Sequence, residues 1–95
     1  MATLHIEHAI TDLDTWLSAF NGFASARLGA GVRAERIQQP VDNPGYIVLD
    51  LDFATADEAS AFLAFLKKQV WAIPDNAPAL AGTPNTMILE DVATS

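Results

Sequence analysis

The sequence predicts an α+β sandwich, a four-stranded antiparallel sheet with two helices on one face, and three observations predict it. Residues 3–10 and 46–53 alternate apolar and polar side chains with the period of a half-buried strand. Each is followed by an apolar stripe at three- and four-residue steps, the period of an amphipathic helix. Between the two halves, Pro40-Val-Asp-Asn-Pro-Gly45 concentrates turn-forming residues and joins two extended runs as a hairpin.

In the first strand Leu4, Ile6, His8 and Ile10 share one face and His5, Glu7 and Ala9 the other. Thr11 or Asp12 can cap the next helix, because a side-chain oxygen there accepts one of the unpaired N–H groups of the first turn. Leu13, Trp16, Leu17, Phe20, Phe23, Ala24 and Leu28 form its apolar stripe, and Gly29 and Gly31 end it. Residues 32–39 read as the second strand. In the third, Ile47, Leu49, Leu51 and Phe53 face one way and Tyr46, Val48, Asp50 and Asp52 the other. Thr55-Ala-Asp-Glu58 fits a capping box at the start of the second helix, whose apolar face is Ala59, Phe62, Leu63, Leu66 and Val70. Lys67 and Lys68 near its end suit the negative pole of the helix dipole. Pro74, Pro78, Gly82 and Pro84 predict an irregular 73–85 segment, a connection or a lid, before a short last strand at 86–92 and a frayed 93–95 tail.

Strand–helix–strand units with right-handed crossovers lay both helices on one side of the sheet, so this order gives a ferredoxin-like βαββαβ sandwich. The expectation is a single domain over residues 1–95, since 95 residues and 10.2 kDa leave no room for separate cofactor and substrate domains. A hydrophobic share of 51% against 18% charged residues is enough to build a core. The net charge of −7 argues against nucleic acid and membrane surfaces as partners. Without cysteine there is no thiolate nucleophile and no Cys-ligated metal centre. The first residues, Met-Ala-Thr-Leu-His-Ile-Glu, lack a basic region followed by an apolar run, and a cytoplasmic location is expected.

The sheet face away from the helices mixes apolar and ionisable groups. It carries His5, Glu7, Tyr46, Val48, Asp50 and Asp52, with either the Arg33/Glu35/Ile37 or the Val32/Ala34/Arg36 row from the second strand, and Met87 and Leu89 or Ile88, Glu90 and Val92 from the fourth. This face either meets water or is closed by a second copy. Clustered carboxylates around a histidine can move protons, so His5, Glu7 and Asp50 are ligand-contacting candidates. His5 and His8 point to opposite faces and do not form one metal site, and no metal or other cofactor is expected.

His8, Ile10, Asp12, Asp14 and Trp16 stand in the pattern His-x-(Val/Ile)-x-Asp-x-Asp-x-Trp, followed by Phe20, the Gly31-Val32 start of the second strand and a Pro- and Asp/Asn-rich hairpin. Over residues 4–66 this resembles small bacterial proteins of the dimeric α+β barrel superfamily, which includes antibiotic-biosynthesis monooxygenases and some polyketide cyclases. The resemblance implies a homodimer whose two sheets pack face to face, with a cavity per protomer that takes small, flat, apolar molecules. It implies no single reaction. Residues 55–70 contain no histidine, so a role like that of the haem-degrading relatives is not expected.

His8 near an acidic helix start reads either as a general base or as a bond donor fixing a strand–helix corner. Asp12 reads as its companion or as a helix cap. With Tyr46, these are the catalytic candidates. Trp16, Phe20, Phe23, Phe62, Phe65 and Trp71 are core residues or the lining of an aromatic pocket, and Trp16 and Trp71 are the ligand-binding candidates. Two functions follow. One is binding of a small apolar or aromatic molecule, with cofactor-free proton or oxygen chemistry of the monooxygenase or cyclase kind near His8 and Tyr46. The other is a non-catalytic dimeric binding or interaction module.

Overall fold

In a computed structural model, which describes residues 1–93, the chain runs β1 (Ala2–Ile10), α1 (Leu13–Gly22), α2 (Ala24–Ala30), β2 (Ala34–Gln38), β3 (Tyr46–Phe53), α3 (Ala56–Phe65) and β4 (Leu80–Glu90). The four strands form one sheet in the order β2-β3-β1-β4, with every neighbouring pair antiparallel. This is the βαββαβ arrangement expected. Residues 94 and 95 of the expected frayed tail lie outside the described residues.

Alternation in β1 and β3 becomes burial. Leu4, Ile6, Ile10, Ile47, Leu49, Leu51 and Phe53 are buried beneath the helices with Trp16, Ala59 and Phe62. Asp12 caps α1 by accepting from the Thr15 N–H at 2.9 Å, and Thr55 caps α3 by accepting from the Glu58 N–H at 3.2 Å. Both capping assignments hold. No helix among the described residues is long and apolar enough to cross a membrane.

The first helical region departs from one continuous helix. The chain breaks at Phe23 (φ −104°, ψ 17°), whose N–H turns back to the carbonyls of Phe20 and Asn21. The break re-aims the following turn, so Leu28 is exposed, contrary to its expected place in the apolar stripe, and Arg27 is buried instead. Arg27 Nη1 also donates to the Phe20 carbonyl at the break, which leaves that group satisfied.

The region after α3 also differs. One π-type turn, Leu66–Val70, extends the helix and brings the Trp71 N–H to the Leu66 carbonyl at 2.8 Å. A short 3-10 turn, Pro74–Asn76, follows. β4 then starts at Leu80 rather than at residue 86, so only the first part of 73–85 is irregular. An edge strand tolerates Pro84, and a register shift between Glu7 and Ala9 of β1, with Gly82 at φ +75°, absorbs the irregularity.

Register decides the second-strand row. Ala34, Arg36 and Gln38 lie opposite Asp52, Asp50 and Val48, which puts them on the open face. On β4 Met87 lies opposite His5 and Leu89 opposite Thr3, so these two belong there as well.

Candidate functional site

The candidate residues fall on two sides of the sheet. Beneath the helices lies a pocket of about 80 Å³ lined by His8, Trp16, Phe20, Phe23, Arg27 and Trp71, with Leu49, Leu51 and Phe62 as its floor. Trp16 and Phe20 stack at 5.0 Å between ring centroids. Phe65, expected among the lining aromatics, stacks on Phe62 at 5.6 Å and is not part of the wall. The π-type turn matters here, because Leu66, Val70 and Trp71 all border the pocket.

His8 supplies the pocket's imidazole. Its Nδ1 lies 2.8 Å from the Ala9 carbonyl, and a carbonyl only accepts, so Nδ1 carries the proton. Burial lowers the His8 pKa below 6.5, which keeps the ring neutral near pH 7. A neutral ring protonated on Nδ1 leaves Nε2 as an acceptor. No buried side-chain nitrogen among the described residues lacks a partner, so Nε2 is not sealed from solvent, and its ring lines the cavity.

Arg27 is a site residue that sequence reasoning missed. Its Nε donates to Glu35 Oε2 at 2.9 Å, and its guanidinium carbon stands 3.5 Å from the centre of the Phe20 ring. The four-residue spacing from Phe23 to Arg27 was visible, but only the helix break makes it face the sheet. Asp12 and Tyr46 do not join His8. Both hydrogen bonds of the Asp12 carboxylate come from Thr15, and Tyr46 points to the other side of the sheet.

On the open face the structure brings together His5, Glu7, Asp50 and Tyr46. His5 Nδ1 lies 2.7 Å from Asp50 Oδ1, and Nε2 lies 2.8 Å from Glu7 Oε2. Tyr46 donates to Glu7 Oε1 at 2.9 Å, and Arg36 donates to Asp50 Oδ2 at 3.0 Å. Hydrogen bonds from His5 and then Tyr46 hold the Glu7 carboxyl below its ordinary range, and the same Glu7 bond raises the Tyr46 hydroxyl above its own. Among the described residues there is no group of three or more His, Asp or Glu with the geometry to hold a metal ion.

Neither a protein-family model nor a curated protein matches the sequence. Solved structures do match its fold. A candidate antibiotic biosynthesis monooxygenase from Nitrosomonas europaea superposes with a TM-score of 0.71 at 18% identity, over 98% of this chain and 100% of that one. A dimeric ferredoxin-like protein from an uncultured marine organism superposes with a TM-score of 0.67 at 10% identity, over 100% of this chain and 98% of that one. The fold is that of the dimeric α+β barrel proteins. A second antibiotic biosynthesis monooxygenase structure, at a TM-score of 0.70 and 11% identity, covers 98% of this chain and 100% of that one. The protomer fold is shared along the chain, while identities this low carry the architecture and not the chemistry.

Proposed function

We propose that this chain binds a small, largely apolar ring compound bearing one hydroxyl in the pocket beneath its helices, as a homodimer whose copies meet on the open sheet face. The observation that carries the reading is a neutral His8 with Nε2 as an acceptor in a wall that is mostly aromatic and aliphatic, where the one cation, Arg27, is already paired with Glu35. Apolar walls supply affinity through desolvation, and one polar group fixes orientation. Pockets for drug-sized ligands run to about 300–1,000 Å³, so at about 80 Å³ this one admits a ring only as Trp71 and the neighbouring turn yield.

His8 Nε2 would take the hydroxyl proton as a general base, leaving an electron-rich ring anion. In the monooxygenase version of the proposal dioxygen oxidises that anion without a bound cofactor, one oxygen atom becoming the second carbonyl of a quinone and the other leaving as water, a reading supported by the shared fold. Asp12 acts in this reading as a helix cap, and Tyr46 belongs to the interface.

Both tryptophans of the chain line the pocket, so their fluorescence reports occupancy. Titration with 1-naphthol should quench it, and 1-methoxynaphthalene should bind about tenfold more weakly, the value of one hydrogen bond at about 1.4 kcal/mol. His8→Phe should abolish that preference. Equal binding of the two probes to the native protein would remove His8 from ligand recognition. The small free volume favours a second reading, a non-catalytic dimeric module, which predicts no quenching by either probe.

A further inference from the structure

His5 is bonded on both sides to acceptors that have no proton to give. Carboxylates ionised at neutral pH only accept, so the 2.7 Å and 2.8 Å contacts to Asp50 and Glu7 each require an N–H. The ring is therefore an imidazolium bridging two strands. It continues on one side to Tyr46 through Glu7 and on the other to Arg36 through Asp50.

The same groups decide whether a second copy can approach. The chain carries a net −7, which drives copies apart. On the open face, however, β1 offers His5 and Glu7, β3 offers Asp50, Asp52 and Tyr46, β2 offers Arg36, and β4 offers the uncharged Asn85, Met87 and Leu89. Two cations stand against three carboxylates: His5 contacts Glu7 and Asp50, Arg36 contacts Asp50, and Asp52 accepts from the Thr3 hydroxyl at 2.7 Å. Met87 and Leu89, 51% and 44% exposed, provide apolar surface beside them. The face is thus nearly charge-balanced and partly apolar, a surface on which this acidic chain can meet its own copy.

We propose that His5 is a proton-dependent latch for the homodimer: the open face accepts a second copy while the imidazolium bridges Glu7 and Asp50, and releases it as the ring loses its proton. The proposal rests on the reading that copies meet on this face. Proton loss leaves one cation against three carboxylates in each copy, and one carboxylate oxygen then faces a bare ring nitrogen. Water screens that imbalance in a free protomer, whereas between two docked faces it is desolvated and repeated by the opposing copy. Docking therefore favours the protonated ring. The Glu7 hydrogen bond raises the His5 pKa above 6.5 against the opposing effect of burial, so release falls on the alkaline side of that value.

Each copy carries one His5. Any preference of the docked ring for its proton is therefore counted twice in the dimer Kd, and a change of about tenfold across the titration is expected. Fluorescence-detected sedimentation from nanomolar to high micromolar protein, at about pH 6 and about pH 9, reads this directly. The native protein should show a Kd at least tenfold weaker at the higher pH. His5→Gln keeps every other titratable group, the terminal amine included, and its Kd should change less than threefold. A Kd that does not move with pH, or moves equally in His5→Gln, overturns the latch while leaving the dimer. A protomer that stays single at both pH values overturns the latch and the dimer reading together. Should the variant fail to fold, the His5 ring of the native protein can be titrated by NMR at high and low protein concentration. A higher pKa in the concentrated sample supports the latch, and equal values overturn it.

Discussion

Arg27, on α2, donates through Nε to Glu35, on the outermost strand β2, at 2.9 Å. Arg27, only 6% exposed as a residue, thus has its counter-charge on a strand whose residues are all exposed in the protomer. The pair ties the pocket wall to the edge of the sheet.

Removing the counter-charge should cost more than removing the pair. Glu35→Ala leaves Arg27 with only the Phe20 carbonyl and ring, and a stability loss of about 1–3 kcal/mol is expected. Arg27→Met combined with Glu35→Ala should lose less than Glu35→Ala alone, because no buried charge is then stranded. Urea unfolding of the three proteins checks this, and a double variant less stable than the single one would mean that Arg27 acts by packing.

The two histidines should act on stability with opposite signs. Burial lowers the His8 pKa, so its contribution is present above the unfolded value of 6.5 and is lost as pH falls through the lowered folded value. Thermal unfolding of His8→Gln should therefore lose less stability than the native protein between neutral and mildly acidic pH. Parallel curves for the two would show that His8 is not held neutral.

For His5 the raised pKa reverses the argument. Its contribution is fully present below 6.5 and is lost as pH rises through the folded value. Hydrogen bonding to Glu7 is the largest cause of the rise, with Asp50 also contributing. NMR titration of the ring should then give a lower pKa in both Glu7→Gln and Asp50→Asn. An unchanged value in either variant would show that its carboxylate is not paired with the ring.

Most of the architecture was legible because β1 and β3 alternate cleanly and Asp12 and Thr55 cap the helices that follow them. Those are local signals, carried by neighbouring residues. The break at Phe23 and the early start of β4 depend on partners distant in sequence, the first on where Arg27 can reach and the second on a register shift against β1. Residue type marked His5, His8, Glu7, Asp50 and both tryptophans as candidates. Alternation also set His5, Glu7, Tyr46 and Asp50 on one face and His8 on the other, which already told against His8 and Tyr46 sharing a site; the second-strand row was not legible, and stayed open until Arg36 fell opposite Asp50.

Two glycines near the end of α2 should respond in opposite ways to alanine. Gly29 lies within the helix, and an added Cβ there meets nothing within 4 Å, so Gly29→Ala should stabilise by about 0.5–1 kcal/mol through the better helix propensity of alanine. Gly31 closes the helix at φ +98°, a left-handed conformation that L side chains rarely adopt, and an added Cβ would lie 2.5 Å from Glu58 Oε2. The flexible Glu58 side chain can swing aside, but the backbone conformation remains, so Gly31→Ala should destabilise by about 1–2 kcal/mol. Chemical denaturation separates the two, and stabilisation by Gly31→Ala would mean that the chain leaves α2 by a different turn.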